Sequence, residues 1–153
     1  MLIQFGEISD IDNWMKLVEE ISWNFPGLET VEKIMEHRNT VLRFIEKGQA
    51  LCVKDEHGGI IGVLLFSRGH NMICCLGVSP EHRRFGVASL LISKALEQLD
   101  RTKDISVSTF RAEDEKGIAP RALYKKFGFV ENELTEEFGY PNQVFILHPK
   151  VSI

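Results

Sequence analysis

The sequence predicts one α/β (α+β) domain, with helices flanking a mixed, mostly antiparallel sheet. Three observations favour this class. The 153 residues suit one core, because domains of roughly 100 to 150 residues are the commonest. Apolar residues recur every second position in some segments and every third or fourth in others, which are the periods of strands and helices. The stretch EHGG joins two apolar runs and supplies two glycines for a hairpin turn. We therefore expect a single domain over residues 1–153.

The N-terminal third predicts a strand followed by two helices. The segment LIQFGEI alternates like a short strand, and Ser9 or Asp10 can cap the amphipathic run DNWMKLVEEIS. The segment NFPG breaks this helix. A helical pattern resumes at Leu28 and ends at Gly48.

The middle of the chain predicts three strands and a helix. The runs ALCVKD and IIGVLLF form the hairpin, and NMICCLGV follows as a third strand that ends before Pro80. Its near-continuous apolar character predicts burial on both faces, with Cys74 and Cys75 in the core. An apolar stripe at helical spacing then runs between Phe85 and Leu99.

The C-terminal third predicts a strand, a short helix and two closing strands. The segment ISVSTF alternates as a strand, PRALYKKFG reads as a helix stopped by Gly128, and FGYPNQVFIL is the last strand. The predicted order is strand, two helices, three strands, helix, strand, helix and two strands.

Composition argues against several classes of protein. The formal net charge of −4 supplies no basic surface for nucleic acid. No stretch reaches the roughly 20 apolar residues of a membrane span, so we expect a cytoplasmic protein that does not bind membranes. The three cysteines form no spaced framework, which favours reduced thiols, and the five histidines show no metal-ligand spacing. We expect no metal.

The stretch GVSPEHRRFGVASLL, residues 77–91, carries the clearest chemical signal. It places Arg83, Arg84 and Gly86 between a predicted strand and a predicted helix. A helix N-terminus offers unpaired backbone N–H groups and a partial positive charge. Guanidinium groups suit phosphate oxygens, and the small residues Gly86 and Ala88 permit close approach. The stretch therefore predicts a pyrophosphate site.

The same stretch resembles the cofactor-binding loop of the GNAT family of N-acetyltransferases. A second segment, ALYKKFGF, resembles the other common motif of that family, a helix that carries a tyrosine and is followed by Gly-Phe. One helix and one strand separate the two motifs, as in the family. The resemblance implies the GNAT fold and acetyl-CoA as co-substrate. It also implies direct transfer of acetyl to a primary amine of a small molecule or peptide.

Carried over to this sequence, the resemblance implies a role for each matching residue. Tyr124 would donate a proton to the departing thiolate, and the backbone N–H of Val78 would stabilise the acyl oxygen. The strand residues beside pantetheine would be Leu76, Gly77 and Val78. The pyrophosphate cradle would comprise Arg83, Arg84, Phe85, Gly86, Val87, Ala88 and Ser89.

The acceptor side is less well specified by the sequence. Several relatives have a glutamate base on the strand before the loop, whereas this strand has none and His70 is its nearest titratable group. His70 is therefore the candidate base. Trp23 and Phe25 match in position the segment that covers the acceptor pocket, with ordinary packing as the alternative. Four glutamates lie on segments that could bring acidic groups near an amine, although a charged surface is the favoured interpretation for most of them: Glu19, Glu20, Glu136 and Glu137.

Two other functions remain open at this stage. The missing carboxylate suggests a noncatalytic module that binds or senses acyl-CoA, and a plain interaction domain would bind no coenzyme A. A homodimer is compatible with the sequence.

Overall fold

The computed structural model describes residues 1–150. Within that range the chain forms seven strands and four α-helices, and short 3-10 turns precede or follow several of the helices. The strands are β1 Leu2–Phe5, β2 Ala50–Lys54, β3 Ile60–Ser67, β4 Met72–Val78, β5 Ile105–Phe110, β6 Val130–Glu137 and β7 Tyr140–Leu147. The helices are α1 Ile11–Ile21, α2 Val31–Glu46, α3 Val87–Gln98 and α4 Ile118–Lys126.

All seven strands belong to one sheet, in the order β1-β2-β3-β4-β5-β7-β6. Every neighbouring pair is antiparallel except β4 and β5, which are parallel and are joined through α3. A parallel pair needs such a crossover, because a hairpin can only reverse the chain. The predicted fold class and order of elements are confirmed.

The helices cover both faces of the sheet and create two cores. One core packs α1 and α2 on the sheet and contains the fully buried Trp14. The other packs α3 and α4 on the opposite face and contains Leu91 and Tyr124. Successive side chains of β2 project into the two cores in turn: Leu51 belongs to the α3 core and Cys52 to the α1 core. No helix within residues 1–150 has the length and apolar character needed to cross a membrane.

Strand β4 differs from the prediction. Cys74 is exposed and Cys75 only half-buried, so the expected burial of both cysteines on this strand is wrong. The register between β3 and β4 shifts next to Leu65, which pairs with Cys75, whereas Phe66 pairs with Ile73. Cys74 is thus the extra residue of a bulge. The pairing of β4 with β5 also ends at Ile73, which removes the neighbour that would have covered the strand.

Candidate active site

A gap between two parallel strands forms the centre of the candidate site. Strands β4 and β5 pair only through Met72 with Ser106 and Ile73 with Val107, although both strands continue beyond these residues. The backbone of β4 from residue 74 to 78 therefore faces the gap without a neighbouring strand. In an extended strand, alternate residues direct their N–H and C=O groups to opposite sides. A ligand in the gap can bind this edge as an additional strand would.

The backbone of Val78 is directed into this gap. The N–H of Ser79 donates to the carbonyl of Ile61, on the β3 side, at 2.8 Å. By alternation, the N–H groups of Val78 and Leu76 are directed away from β3. Two predicted cofactor residues thus present free backbone donors at the point where the strand meets the loop.

The loop after β4 leads to an open helix N-terminus. Arg84 and Gly86 adopt left-handed backbone conformations, with φ of 73° and 77°, and α3 begins at Val87. No side chain caps the helix at Gly86, and a Cβ added there would meet no atom within 4 Å. The first N–H groups of a helix have no partner inside it. They face open space here.

The side chains around this N-terminus suit a phosphate group. Arg83 and Arg84 are exposed and form no ion pair within residues 1–150. Val87 is buried and anchors the helix, whereas Ala88 and Ser89 are half-buried. The buried Nδ1 of His82, directly before the arginines, has no hydrogen-bond partner in the same range. Unpaired cations, free amides and open space together fit a diphosphate.

Tyr124 lies on α4, in the core that packs on the α3 side of the sheet. Its ring is buried against Phe129 and Phe145, with ring centroids 5.6 Å and 6.3 Å away. Burial raises the pKa of its hydroxyl well above 10, and the nearby Cys75 thiol on β4 raises it further. The phenol is thus protonated at neutral pH and lies close to the first unpaired residues of β4. Such a group can donate a proton.

A cavity of about 380 Å³ lies on the other face of the sheet, between the α1–α2 connection and the β6–β7 hairpin. Trp23 and Phe25 both line it, and Trp23 is 67% exposed. A Cβ built on Gly77 would lie 3.8 Å from Phe25 Cζ, so the Phe25 ring lies next to β4. The structure therefore places both predicted acceptor residues in the lining of this cavity, and Phe25 also beside β4. A larger cavity, of about 700 Å³, lies at the far end of α3.

His70 is not brought to these residues. It is exposed in the turn before β4, where Asn71 contacts Asp100 just beyond the C-terminal end of α3. The loop with the two arginines lies at the opposite end of that helix. A helix of 12 residues is about 18 Å long. His70 is therefore remote from the loop.

The sequence model of the "Acetyltransferase (GNAT) domain" family matches residues 46–131, more than half of the chain. The chain belongs to the GNAT acetyltransferase family. The resemblance predicted from the two motifs is confirmed, and the match spans the loop, α3 and Tyr124. No curated protein sequence matches the chain significantly.

Solved structures of GNAT proteins share the fold over nearly the whole chain. A GNAT-family acetyltransferase from Bacillus cereus ATCC 10987 is 21% identical, with 98% of each chain covered and a TM-score of 0.74. An N-acetyltransferase from Staphylococcus aureus Mu50 is 17% identical, with 95% of this chain and 100% of that chain covered and a TM-score of 0.75. The PaiA N-acetyltransferase from Thermoplasma acidophilum, solved with coenzyme A, is 16% identical, with 96% and 98% covered and a TM-score of 0.72. The predicted cofactor, coenzyme A, is thus the bound ligand of this structural neighbour. Within residues 1–150, no cluster of three or more His, Cys, Asp or Glu side chains could hold a metal ion.

Sequence reasoning missed the residue that fixes the GNAT helix α4. Arg121 is buried and donates to Gln143 Oε1 at 2.8 Å and to the Phe110 carbonyl at 3.0 Å. It also pairs with Glu131 at 2.8 Å. These bonds tie α4 to β5, β6 and β7 one turn before Tyr124. An arginine in a basic helix gives no sequence signal for burial, because its partners are distant in the chain.

Proposed function

We propose that the protein transfers an acetyl group from acetyl-CoA to a primary amine by direct attack in a ternary complex. The gap between β4 and β5, which ends at the open N-terminus of α3, carries this proposal. It supplies backbone donors for an extended ligand and, at one end, a cationic cradle for a diphosphate. The acceptor enters from the cavity beside Phe25.

Each part of the bound co-substrate has a counterpart in the chain. Leu76, Gly77 and Val78 form the strand segment beside the pantetheine arm, and the backbone groups of Leu76 and Val78, which are directed away from β3, bind it. The diphosphate is held by the predicted cradle of Arg83, Arg84, Phe85, Gly86, Val87, Ala88 and Ser89. The free amides of α3 and the two unpaired guanidinium groups support this assignment.

Two groups stabilise the charges that develop during transfer. The N–H of Val78 is directed into the gap and donates to the acyl oxygen as negative charge builds on it. Tyr124, whose raised pKa keeps the phenol protonated, gives its proton to the departing thiolate. Direct transfer is favoured over an acetyl-enzyme, because desolvation of the two thiols raises the pKa of Cys75 to about 12 and that of Cys74, although its residue as a whole is exposed, to about 11. Neither thiol is an activated nucleophile. The proposal assigns no role to His70.

Calorimetry tests the binding step. Coenzyme A titrated into the purified protein at modest salt should release or absorb heat with a stoichiometry of one. Arg84→Ala should weaken binding about tenfold or more, the value of a charge-assisted contact to phosphate. Arg101→Ala, which removes an exposed arginine beyond the opposite end of α3, should bind as the wild type does. Equal affinities of the wild type and both variants for coenzyme A would show that Arg84 does not bind the phosphates.

A noncatalytic acyl-CoA-binding module is the second candidate. The observation that favours it is the lack of a carboxylate on β4 together with the remote position of His70. Consumption of acetyl-CoA by a panel of primary amines, compared with a reaction without amine, distinguishes the two functions. Binding without amine-dependent consumption would favour the noncatalytic module.

A further inference from the structure

The cavity beside Phe25 has a wall of mixed polarity that contains three aromatic side chains. Trp23, Phe25 and Tyr140 line it, together with Pro26 and Leu28. Its volume of about 380 Å³ is near the lower end of the roughly 300 to 1,000 Å³ typical of small-molecule sites. Aromatic faces bind planar or apolar groups well. The wall thus suits the body of a small apolar molecule.

The two charged side chains in the lining are already engaged. Glu29 accepts a hydrogen bond from Lys33 Nζ at 3.2 Å and another from a backbone N–H. Lys116 lies over the Tyr140 ring, with its Nζ 5.6 Å from the centroid, beside the carboxylate of Asp114. Asp114 in turn accepts a hydrogen bond from the Tyr140 hydroxyl at 2.6 Å. These local contacts largely compensate the charges of the lining.

Glu137 is a free carboxylate on the same side of the sheet. It pairs with Tyr140 across the β6–β7 hairpin, and paired residues project from the same face. Its neighbour Glu136 pairs with Pro141 and projects from the opposite face. Glu137 is exposed and forms no ion pair within the described part of the chain, residues 1–150.

Two observations place the hairpin tip that carries Glu137 near the cavity and near β4. Phe138, next in sequence, has a positive φ of 53°, and its ring packs so closely on Gly27 that a Cβ there would lie 2.9 Å from Phe138 Cγ. This contact fixes the hairpin tip against the α1–α2 connection. On the other side, the Glu137 carboxylate is near enough to Cys74 to raise the pKa of that thiol, after the larger effect of burial. Cys74 is the first β4 residue beyond the pairing with β5.

We propose that this cavity takes a small primary amine with an apolar, aromatic body, and that Glu137 binds its ammonium group. The inference rests on the proposed acetyl transfer and names its acceptor class. The aromatic rings hold the body of the acceptor, and the carboxylate directs its nitrogen towards the gap. The small volume of the cavity disfavours long polyamines.

The protons of the reaction balance with these groups. The bound ammonium gives one proton to the Glu137 carboxylate and becomes a neutral amine, whose nitrogen attacks the thioester carbon. The C–N bond forms and the C–S bond breaks. The second proton of the amine leaves to solvent after attack, and the Tyr124 phenolate takes up one proton from solvent, which replaces the proton it gave to the thiolate. The net products are an amide, coenzyme A thiol and one proton passed from Glu137 to solvent.

A matched pair of variants tests the role of Glu137. Glu137→Gln and Glu136→Gln remove the same charge from adjacent residues on opposite faces of β6. With 2-phenylethylamine as the amine, Glu137→Gln should lower kcat/KM at least tenfold and leave the KM for acetyl-CoA unchanged. Glu136→Gln should stay within twofold of the wild type. Equal losses in the two variants would overturn the assignment of Glu137.

A panel of amines tests the acceptor class. The wild type should acetylate 2-phenylethylamine with a higher kcat/KM than methylamine or spermidine. Trp23→Ala should remove most of this preference, whereas Val31→Ala should keep it, because Val31 is equally exposed but does not line the cavity. A preference for methylamine or spermidine would overturn the proposed class. Acetylation of no amine in the panel, despite acetyl-CoA binding, would overturn it as well.

The Cys74 thiol reports on Glu137 without any acceptor. Iodoacetamide alkylation, followed by mass spectrometry to separate Cys74 from Cys75, gives the pH dependence of this thiol. Glu137→Gln should lower the apparent pKa of Cys74 and speed its alkylation at a fixed pH near 9, and Glu136→Gln should not. No difference between the variants would refute the proposed position of the carboxylate. Failure of acetyl-CoA to bind would instead overturn the acetyl-transfer function, and with it the acceptor class, while this thiol measurement would still test the geometry.

Discussion

Replacing Tyr124 with phenylalanine removes only the hydroxyl group, so the effect on catalysis can be measured with little effect on folding. The ring is buried against Phe129 and Phe145, and phenylalanine keeps both contacts. The hydroxyl makes no hydrogen bond to another group within residues 1–150. Its removal should therefore change the free energy of unfolding by less than about 1 kcal/mol, the usual net value of a hydrogen bond.

The effect on turnover should be much larger. A positioned general acid contributes roughly 10² to 10⁴ in rate, which corresponds to about 3 to 5 kcal/mol of barrier. We expect Tyr124→Phe to lower kcat by at least a hundredfold with little change in acetyl-CoA affinity. Coenzyme A release should be measured by chromatography, since a thiol reagent would also modify the exposed Cys74. A loss of less than threefold would remove Tyr124 from the mechanism.

The two tyrosines of the chain allow a direct check of protonation. Tyr140→Phe leaves Tyr124 as the sole tyrosine, and Tyr124→Phe leaves Tyr140. Burial first, then Cys75, raises the pKa of Tyr124 far above 10, whereas hydrogen bonding to Asp114 first raises that of Tyr140. Phenolate absorbance at 295 nm should therefore appear in the Tyr140→Phe protein only when alkali unfolds it. Phenolate formation from Tyr124 in the folded state near pH 10 would contradict the assigned environment.

Three further predictions concern stability. Arg121→Met should lower the free energy of unfolding by about 2 to 4 kcal/mol, because it breaks a buried network of hydrogen bonds and an ion pair. Lys125→Met removes an exposed ion pair worth at most about 1 kcal/mol. Equal urea midpoints for the two variants would refute the larger role of Arg121. Gly77→Ala places a Cβ 2.4 Å from Ile21 Cδ1 and should cost about 1 to 3 kcal/mol, with partial rescue by Ile21→Val; a wild-type melting temperature would contradict the packing. Burial lowers the pKa of His37, so its contribution to stability is present above about pH 6.5 and is lost as the pH falls further. Urea titrations at pH 7.5 and 5.0 should show that His37→Gln loses less free energy of unfolding between the two pH values than the wild type does. An identical loss in both proteins would show that His37 does not contribute to this pH dependence.

The sequence predicted most of the fold and the cofactor side of the candidate site. The hairpin at EHGG, the helix with the stripe that includes Leu91 and the helix that carries Tyr124 all follow from local periodicity and turn residues. The observed helix boundaries differ from the predicted ones where the backbone conformation determines them. Helix α3 begins at Val87 and not at Phe85, because Gly86 takes a left-handed conformation outside the helix.

The acceptor side could not be predicted to the same degree. Cys74 was expected in the core because its strand is apolar, but a bulge and the loss of a neighbouring strand expose it. Glu137 and Glu136 look alike in the sequence, and only the register with Tyr140 and Pro141 assigns them to different faces. A shift of one residue in that register would exchange their positions.

Contiguous residues determined the family of this protein. The phosphate loop and the tyrosine helix are each local motifs, since helix ends, glycine conformations and neighbouring cations act within a few residues. Tertiary structure alone decided where β4 leaves β5, how Arg121 fixes α4 and to which face of β6 each glutamate of the hairpin belongs. These features depend on pairings between residues distant in the chain, which local periodicity does not specify.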